Sequence, residues 1–159
     1  MEIFLSHNHR DRAWTERLGA QAAALGIKPY LAEHDLRPGP LLAEKVQAEI
    51  RRSAAVVVLI SDNSVNAAYV QQEIGFALAQ RKIVVPLVQQ GILVEALAML
   101  QGVEYISFDF ENPEEGLRGL NVALTGLIER QRKKEQQDAL LALACAALII
   151  FALYGGSGG

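Results

Sequence analysis

The sequence predicts an α/β fold: a five-stranded parallel sheet, doubly wound by helices. Three observations predict it. Apolar runs alternate with helical periodicity five times along the 159 residues. The run Ala54-Ala55-Val56-Val57-Val58-Leu59-Ile60 has no polar interruption, as a strand covered on both faces requires. Glycine, proline and capping residues fall between the runs.

Glu2 to Ser6 reads as a short first strand, and no signal peptide is expected ahead of it. His7-Asn8-His9-Arg10-Asp11 is a polar loop in which Asp11 or a neighbour can cap the next helix. Trp14, Leu18, Ala22 and Leu25 give Ala13 to Leu25 a helical period, and Gly26 stops it. Ile27 to Leu31 is the second strand, and its Pro29 places it at a sheet edge or at a strand start. Ala32 to Pro40 is a charged loop with a Pro38-Gly39 turn. Leu42, Val46 and Ile50 carry a second helix over Leu41 to Arg52.

After the third strand, Ser61-Asp62-Asn63-Ser64 supplies turn and cap residues. Val65, Tyr69, Ile74 and Leu78 then share a helix face up to Gln80. Lys82 to Val88 is a fourth strand, a short helix is expected around Leu93 to Leu100, and Val103 to Phe108 is an edge-like fifth strand. Pro113, followed by two acids, opens a last helix.

Net charge is −3, so no global basic surface points to nucleic acid. A single cysteine, Cys145, forbids an intrachain disulfide and suits a cytosol-facing domain. Three histidines without a Cys/His cluster argue against a transition-metal site. Neither G-x-G-x-x-G nor a Walker-type loop is present. A phosphoacceptor regulator needs an acidic cluster after the first strand, which His7-Asn8-His9 does not supply.

The chemistry-bearing stretch is Ser61 to Gln80. Glu73 lies two turns into its helix, with Tyr69 four residues earlier on the same face. In an open α/β sheet, the C-terminal strand ends and the helices after them border the ligand crevice. A lone carboxylate beside an aromatic ring there is a candidate reacting group; a solvated helix residue is the alternative.

Five segments in order carry a family resemblance: Phe4-Leu5-Ser6-His7, the leucines and Pro38-Gly39 between Leu31 and Gly39, Val56 to Ser61, Tyr69 to Leu78, and Ile83 to Leu87. Together they resemble the Toll/interleukin-receptor (TIR) domain, of flavodoxin-like fold, over about residues 2 to 130. Members of that family either act as scaffolds through the loop equivalent to Ala32–Pro40 or cleave NAD+ at the nicotinamide–ribose bond.

The resemblance implies Glu73 as the catalytic carboxylate, NAD+ as substrate with no separate cofactor, and activation by homo-oligomerisation through the Ala32–Pro40 loop. A signalling role, as in bacterial immunity, follows from the same resemblance; a non-enzymatic scaffold is the alternative. It also implies contacts to the ligand from Phe4, His7, Asn8, Leu41, Ser61 and Tyr69. The residues themselves leave other roles open. Phe4 suits core packing, His7 and Asn8 a solvated loop, Ser61 a helix cap, and Leu41 a neighbouring protomer. Asp35 and Arg37 suit assembly as well as substrate. The chain departs from the family pattern in Ala32, where aspartate is usual, in the His7-Asn8-His9 loop, and in Tyr69, where tryptophan is commoner.

Beyond residue 130, a charged linker at 131–138 precedes the apolar run Ala139 to Tyr154 and a Gly/Ser tail at 155–159. Sixteen helical residues reach about 24 Å against the ~30 Å of a hydrocarbon core. Arg130, Arg132, Lys133 and Lys134 lie on its N-terminal side. The expectation is a single C-terminal membrane pass with the domain on the cytoplasmic face; the alternative is a helix buried in an oligomer.

Overall fold

Parallel strands buried on both faces need helices above and below, and the chain supplies them in alternation. The computed structural model describes residues 1–31, 40–93 and 98–154, and the side chains of these except 40, 98 and 150–154. Five strands, β1 (Glu2–Ser6), β2 (Lys28–Leu31), β3 (Ala55–Ile60), β4 (Ile83–Gln89) and β5 (Ile106–Phe108), form one sheet in the order β2-β1-β3-β4-β5. All four pairings are parallel. The helices are α1 (Arg12–Ala24), α2 (Pro40–Arg52), α3 (Ala68–Ala79) and α4 (Glu114–Tyr154).

The order places the topological switch point between β1 and β3, where the chain turns from building one side of the sheet to the other. All six residues of the central strand β3 are buried. Alternation along β1 puts Phe4 into the core cluster with Ile50, Val56, Val58, Ile60 and Ile74. Each such side chain contributes about 1.5–3 kcal/mol through burial.

Pro29 does lie on an edge strand, paired only with β1. Pro86 is in an interior strand, opposite Val58 of β3, and the β5 register begins one residue later, at Leu87. Of the short helix expected around Leu93 to Leu100, the described part is a 3-10 turn, Ala98–Leu100. The fifth strand is shorter than expected, only Ile106–Phe108.

The chain divides into two units, Met1–Thr125, which holds the sheet, and Gly126–Gly159. In the first unit, α4 approaches β5 closely at two glycines. A Cβ at Gly116 would stand 2.5 Å from Phe108 Cδ2, and one at Gly119 2.8 Å from Ile106 Cγ2. The second unit is helical to Tyr154, with Leu140, Leu141, Leu143, Leu148 and Ile149 exposed.

The expected membrane pass is corrected: among the described residues, no helix is long and apolar enough to cross a membrane. The charged stretch 129–138 belongs to the same helix. The apolar run that follows in the sequence, Ala139 to Tyr154, reaches about 24 Å at roughly 1.5 Å per residue, short of ~30 Å.

Candidate functional site

β1 and β3 end side by side at the switch point, with Ser6 in register with Val58. The chain after β1 makes a 3-10 turn at His9–Asp11, and the chain after β3 makes a turn that leads into α3. Glu73 is on the second turn of α3, facing inward at 4% exposure. Its Oε2 accepts a 2.5 Å hydrogen bond from Ser6 Oγ. Burial pushes the Glu73 carboxyl up to about 8 from an ordinary 4.5, against the opposing pull of the Ser6 hydrogen bond. The solvated reading of Glu73 is thereby corrected: a protonated carboxylic acid at neutral pH tolerates such a site, and water does not reach it freely.

The other residues singled out by sequence differ in their surroundings. Phe4 is fully buried and stacks on Tyr30 with ring centroids 5.7 Å apart, so it is a core residue. His7 and Asn8 are buried, not solvated. Asn8 Oδ1 accepts from Arg10 N at 3.0 Å and caps the 3-10 turn, while its Nδ2 donates to Asn63 O at 2.8 Å. His7 Nδ1 lies 3.4 Å from Leu5 O. Tyr69 is half-buried against the core cluster, one helical turn before Glu73.

Ser61 is buried and structural in its bonding. Its Oγ accepts from Asn63 N at 3.1 Å and donates to Asp11 Oδ2 at 2.5 Å. Ser64 Oγ accepts from Ser61 N at 2.7 Å and donates to Leu59 O at 2.9 Å, closing the turn after β3. Leu41, in the first turn of α2, is 82% exposed. Asp35, Arg37 and the rest of the 32–39 stretch lie outside the described residues.

Two residues of the site escaped the sequence reading. Ser6 was visible only as part of Phe4-Leu5-Ser6-His7; its place at the end of a strand flanking the switch point was the available signal. Asp11, expected as a helix cap, occupies the N-cap position of α1 but makes no capping bond with its side chain. Its carboxylate turns to the chain after β3 instead, accepting from Ser61 and, through Oδ1 at 2.6 Å, from Asn63 Nδ2. Among the described residues, no three His, Cys, Asp or Glu side chains come together as metal ligands.

A family model described as TIR domain matches residues 3–120. A Brachypodium distachyon protein named as a probable 2′ cyclic ADP-D-ribose synthase, BdTIR, is 25% identical over 122 residues, 74% of this chain and 54% of that protein. The chain thus spans about half the length of this curated relative.

Among solved structures, the TIR domains of the activated Roq1 resistosome superpose with a TM-score of 0.55 at 17% identity, covering 84% of this chain and 98% of that one. The TIR domain of the Toll-related receptor TRR-2 from Hydra magnipapillata gives 0.56 at 18%, covering 81% and 95%. The CMP N-glycosidase BcmB of Clostridium botulinum gives 0.56 at 17%, covering 76% and 99%. At these identities the likeness is one of fold.

Proposed function

We propose, from the premise that the chain belongs to the TIR domain family, that it cleaves the nicotinamide–ribose bond of NAD+ with Glu73 as its reacting carboxylate. One observation carries the reading: a buried carboxyl, held by Ser6 at the end of β1, with a proton affinity far from the ordinary. The named product of the Brachypodium relative supports the same chemistry.

The reaction suits a single carboxylate. The leaving group is a cationic pyridinium that departs as neutral nicotinamide, so no general acid has to protonate it. Positive charge develops on the ribose, and an adjacent anion stabilises that state more than the ground state. Glu73 must therefore be ionised when the bond breaks, whereas burial favours its neutral form. The positive charge of bound NAD+ resolves the conflict, since a nearby cation lowers a carboxyl's pKa. Substrate binding and ionisation are then one coupled event. Capture of the ribosyl cation by water gives ADP-ribose, and capture by a group of the same molecule gives a cyclic product. The relative's name supports the cyclising arm.

Self-assembly completes the reading, with a place in immune signalling. Leu41, exposed at the start of α2, is suited to contact a second protomer or the ligand. The same exposure favours the scaffold alternative, in which partner recruitment survives Glu73→Ala and fails with Pro38→His. The deciding experiment incubates concentrated protein with NAD+ and separates nicotinamide, ADP-ribose and cyclic products. Glu73→Gln is expected to lower nicotinamide release by roughly a hundredfold or more. Equal release by the two proteins sinks the catalytic reading.

A further inference from the structure

We propose that Asp11 is a positioning residue for this reaction: its carboxylate, held by Ser61 and Asn63, ties the chain after β1 to the chain after β3 and so sets Ser6 against Glu73. The inference rests on the reading of Glu73 as the reacting group and extends it to a residue that touches neither Glu73 nor Ser6 in the described hydrogen bonds.

The geometry is that of a clamp. Asp11 is 5% exposed. One oxygen takes the Ser61 hydroxyl at 2.5 Å and the other takes the Asn63 amide at 2.6 Å. Asn8 adds a second tie from the same loop through Asn63 O at 2.8 Å. Ser6 lies at the root of one tied segment, and Glu73 is on the helix that grows out of the other. Hydrogen bonds to a carboxylate are shorter and stronger than neutral ones, so the clamp holds a narrow range of separations.

Stability alone is a poor reason for the arrangement. Asp11 stands at an N-cap, where a bond to its own helix would stabilise that helix, and it makes no such bond. Burying a carboxylate also carries a desolvation cost that a pair of apolar side chains would avoid. What the clamp provides is a fixed distance across the switch point, and displacement of a reacting group by about 1 Å is enough to slow a reaction a hundredfold.

The test follows the Glu73 side-chain carboxyl by 13C NMR in the full chain, with its signal assigned by its loss in Glu73→Gln. It is titrated in wild type, Asp11→Asn, Ser61→Ala and Ser61→Thr. Ser61→Ala leaves the Asp11 side chain in place and removes the Ser61 half of the tie, together with the bond Ser61 Oγ accepts from Asn63 N, which separates positioning from a field effect. The wild-type midpoint is expected near 8. In Asp11→Asn and Ser61→Ala it moves away from the wild-type value as the Ser6 bond and the burial of the pair are both altered, and Ser61→Thr, which keeps the hydroxyl, restores it. Nicotinamide release per folded molecule falls roughly tenfold in the first two variants with KM within about twofold.

If Asp11→Asn and Ser61→Ala lower the Tm but leave the Glu73 midpoint in place, the proposal is overturned and Asp11 is a structural tie. If the midpoint moves while Glu73→Gln releases nicotinamide like wild type, the catalytic reading falls. The clamp then stands as a device that holds the Ser6–Glu73 pair.

Discussion

Ser6 Oγ donates to Glu73 Oε2 at 2.5 Å across 67 positions of sequence. The bond joins the end of β1 to a helix that follows a different strand, β3, and it favours the ionised carboxyl while burial disfavours it. Ser6→Ala removes the favourable influence and leaves the burial. The Glu73 midpoint is therefore expected to rise further, and the acid limb of the pH–rate profile for nicotinamide release to shift to higher pH. Rates measured between pH 5 and 9 check it; an unmoved limb shows that the profile reports another group.

Glu73 also makes stability depend on pH. Its proton is bound more tightly in the folded chain than in the unfolded one, because the folded midpoint is about 8 and the ordinary value 4.5. Wild type is thus expected to lose stability as pH rises between these values, at up to ~1.4 kcal/mol per unit, and to level off above. Glu73→Gln has no proton to lose and can still accept from Ser6. Its stability relative to wild type grows from pH 5 to pH 8, and urea denaturation at both pH values measures the difference.

These two effects were only half legible in the sequence. The unbroken Ala54–Ile60 run announces a strand buried on both faces, and Pro29 announces an edge or a strand start, because burial and a missing donor leave their mark on the residues themselves. Glu73 stood out through its helix position and Tyr69. Ser6 did not, since its role depends on a pairing between β1 and β3 that no local pattern encodes. Asp11 looked like a cap because the position is one, but the side chain chose a tertiary partner. The apolar tail marks the limit of composition: it signals greasiness well, yet among the described residues no helix is long and apolar enough to cross a membrane.

Gly116 is fixed by contact. Its absent Cβ would meet Phe108 Cδ2 at 2.5 Å and Ser107 O at 3.1 Å. Phe108 cannot easily yield, because Trp14 and Phe110 pack edge-on against it at 5.4 and 5.2 Å. Gly116→Ala is expected to destabilise the fold by about 1–3 kcal/mol. Gly126, with nothing within 4 Å of its Cβ position, is the contrast: Gly126→Ala is expected to be neutral or to stabilise α4 by roughly 0.5–1 kcal/mol. Thermal melts of the two single variants test the pair.

Lys82 closes the end of α2. Its Nζ donates to Arg51 O at 2.5 Å and to Ser53 O at 2.7 Å, placing an ammonium at the negative end of the helix. Lys82→Met keeps the stem and removes the charge, with an expected loss of about 1–2 kcal/mol in urea denaturation. A loss that vanishes in high salt would assign it to the helix dipole and not to the two hydrogen bonds.

The strand order also governs when the reactive pair comes into being on the ribosome. β1 is synthesised first, yet its inner neighbour β3 arrives only after β2 and α2, with Ile3 matched to Ala55. At about 5–20 residues per second, the 67 positions separating Ser6 from Glu73 take roughly 3–13 s to translate. A nascent chain passes that interval with the Ser6–Glu73 pair half unmade, so the pair forms only together with the middle of the sheet.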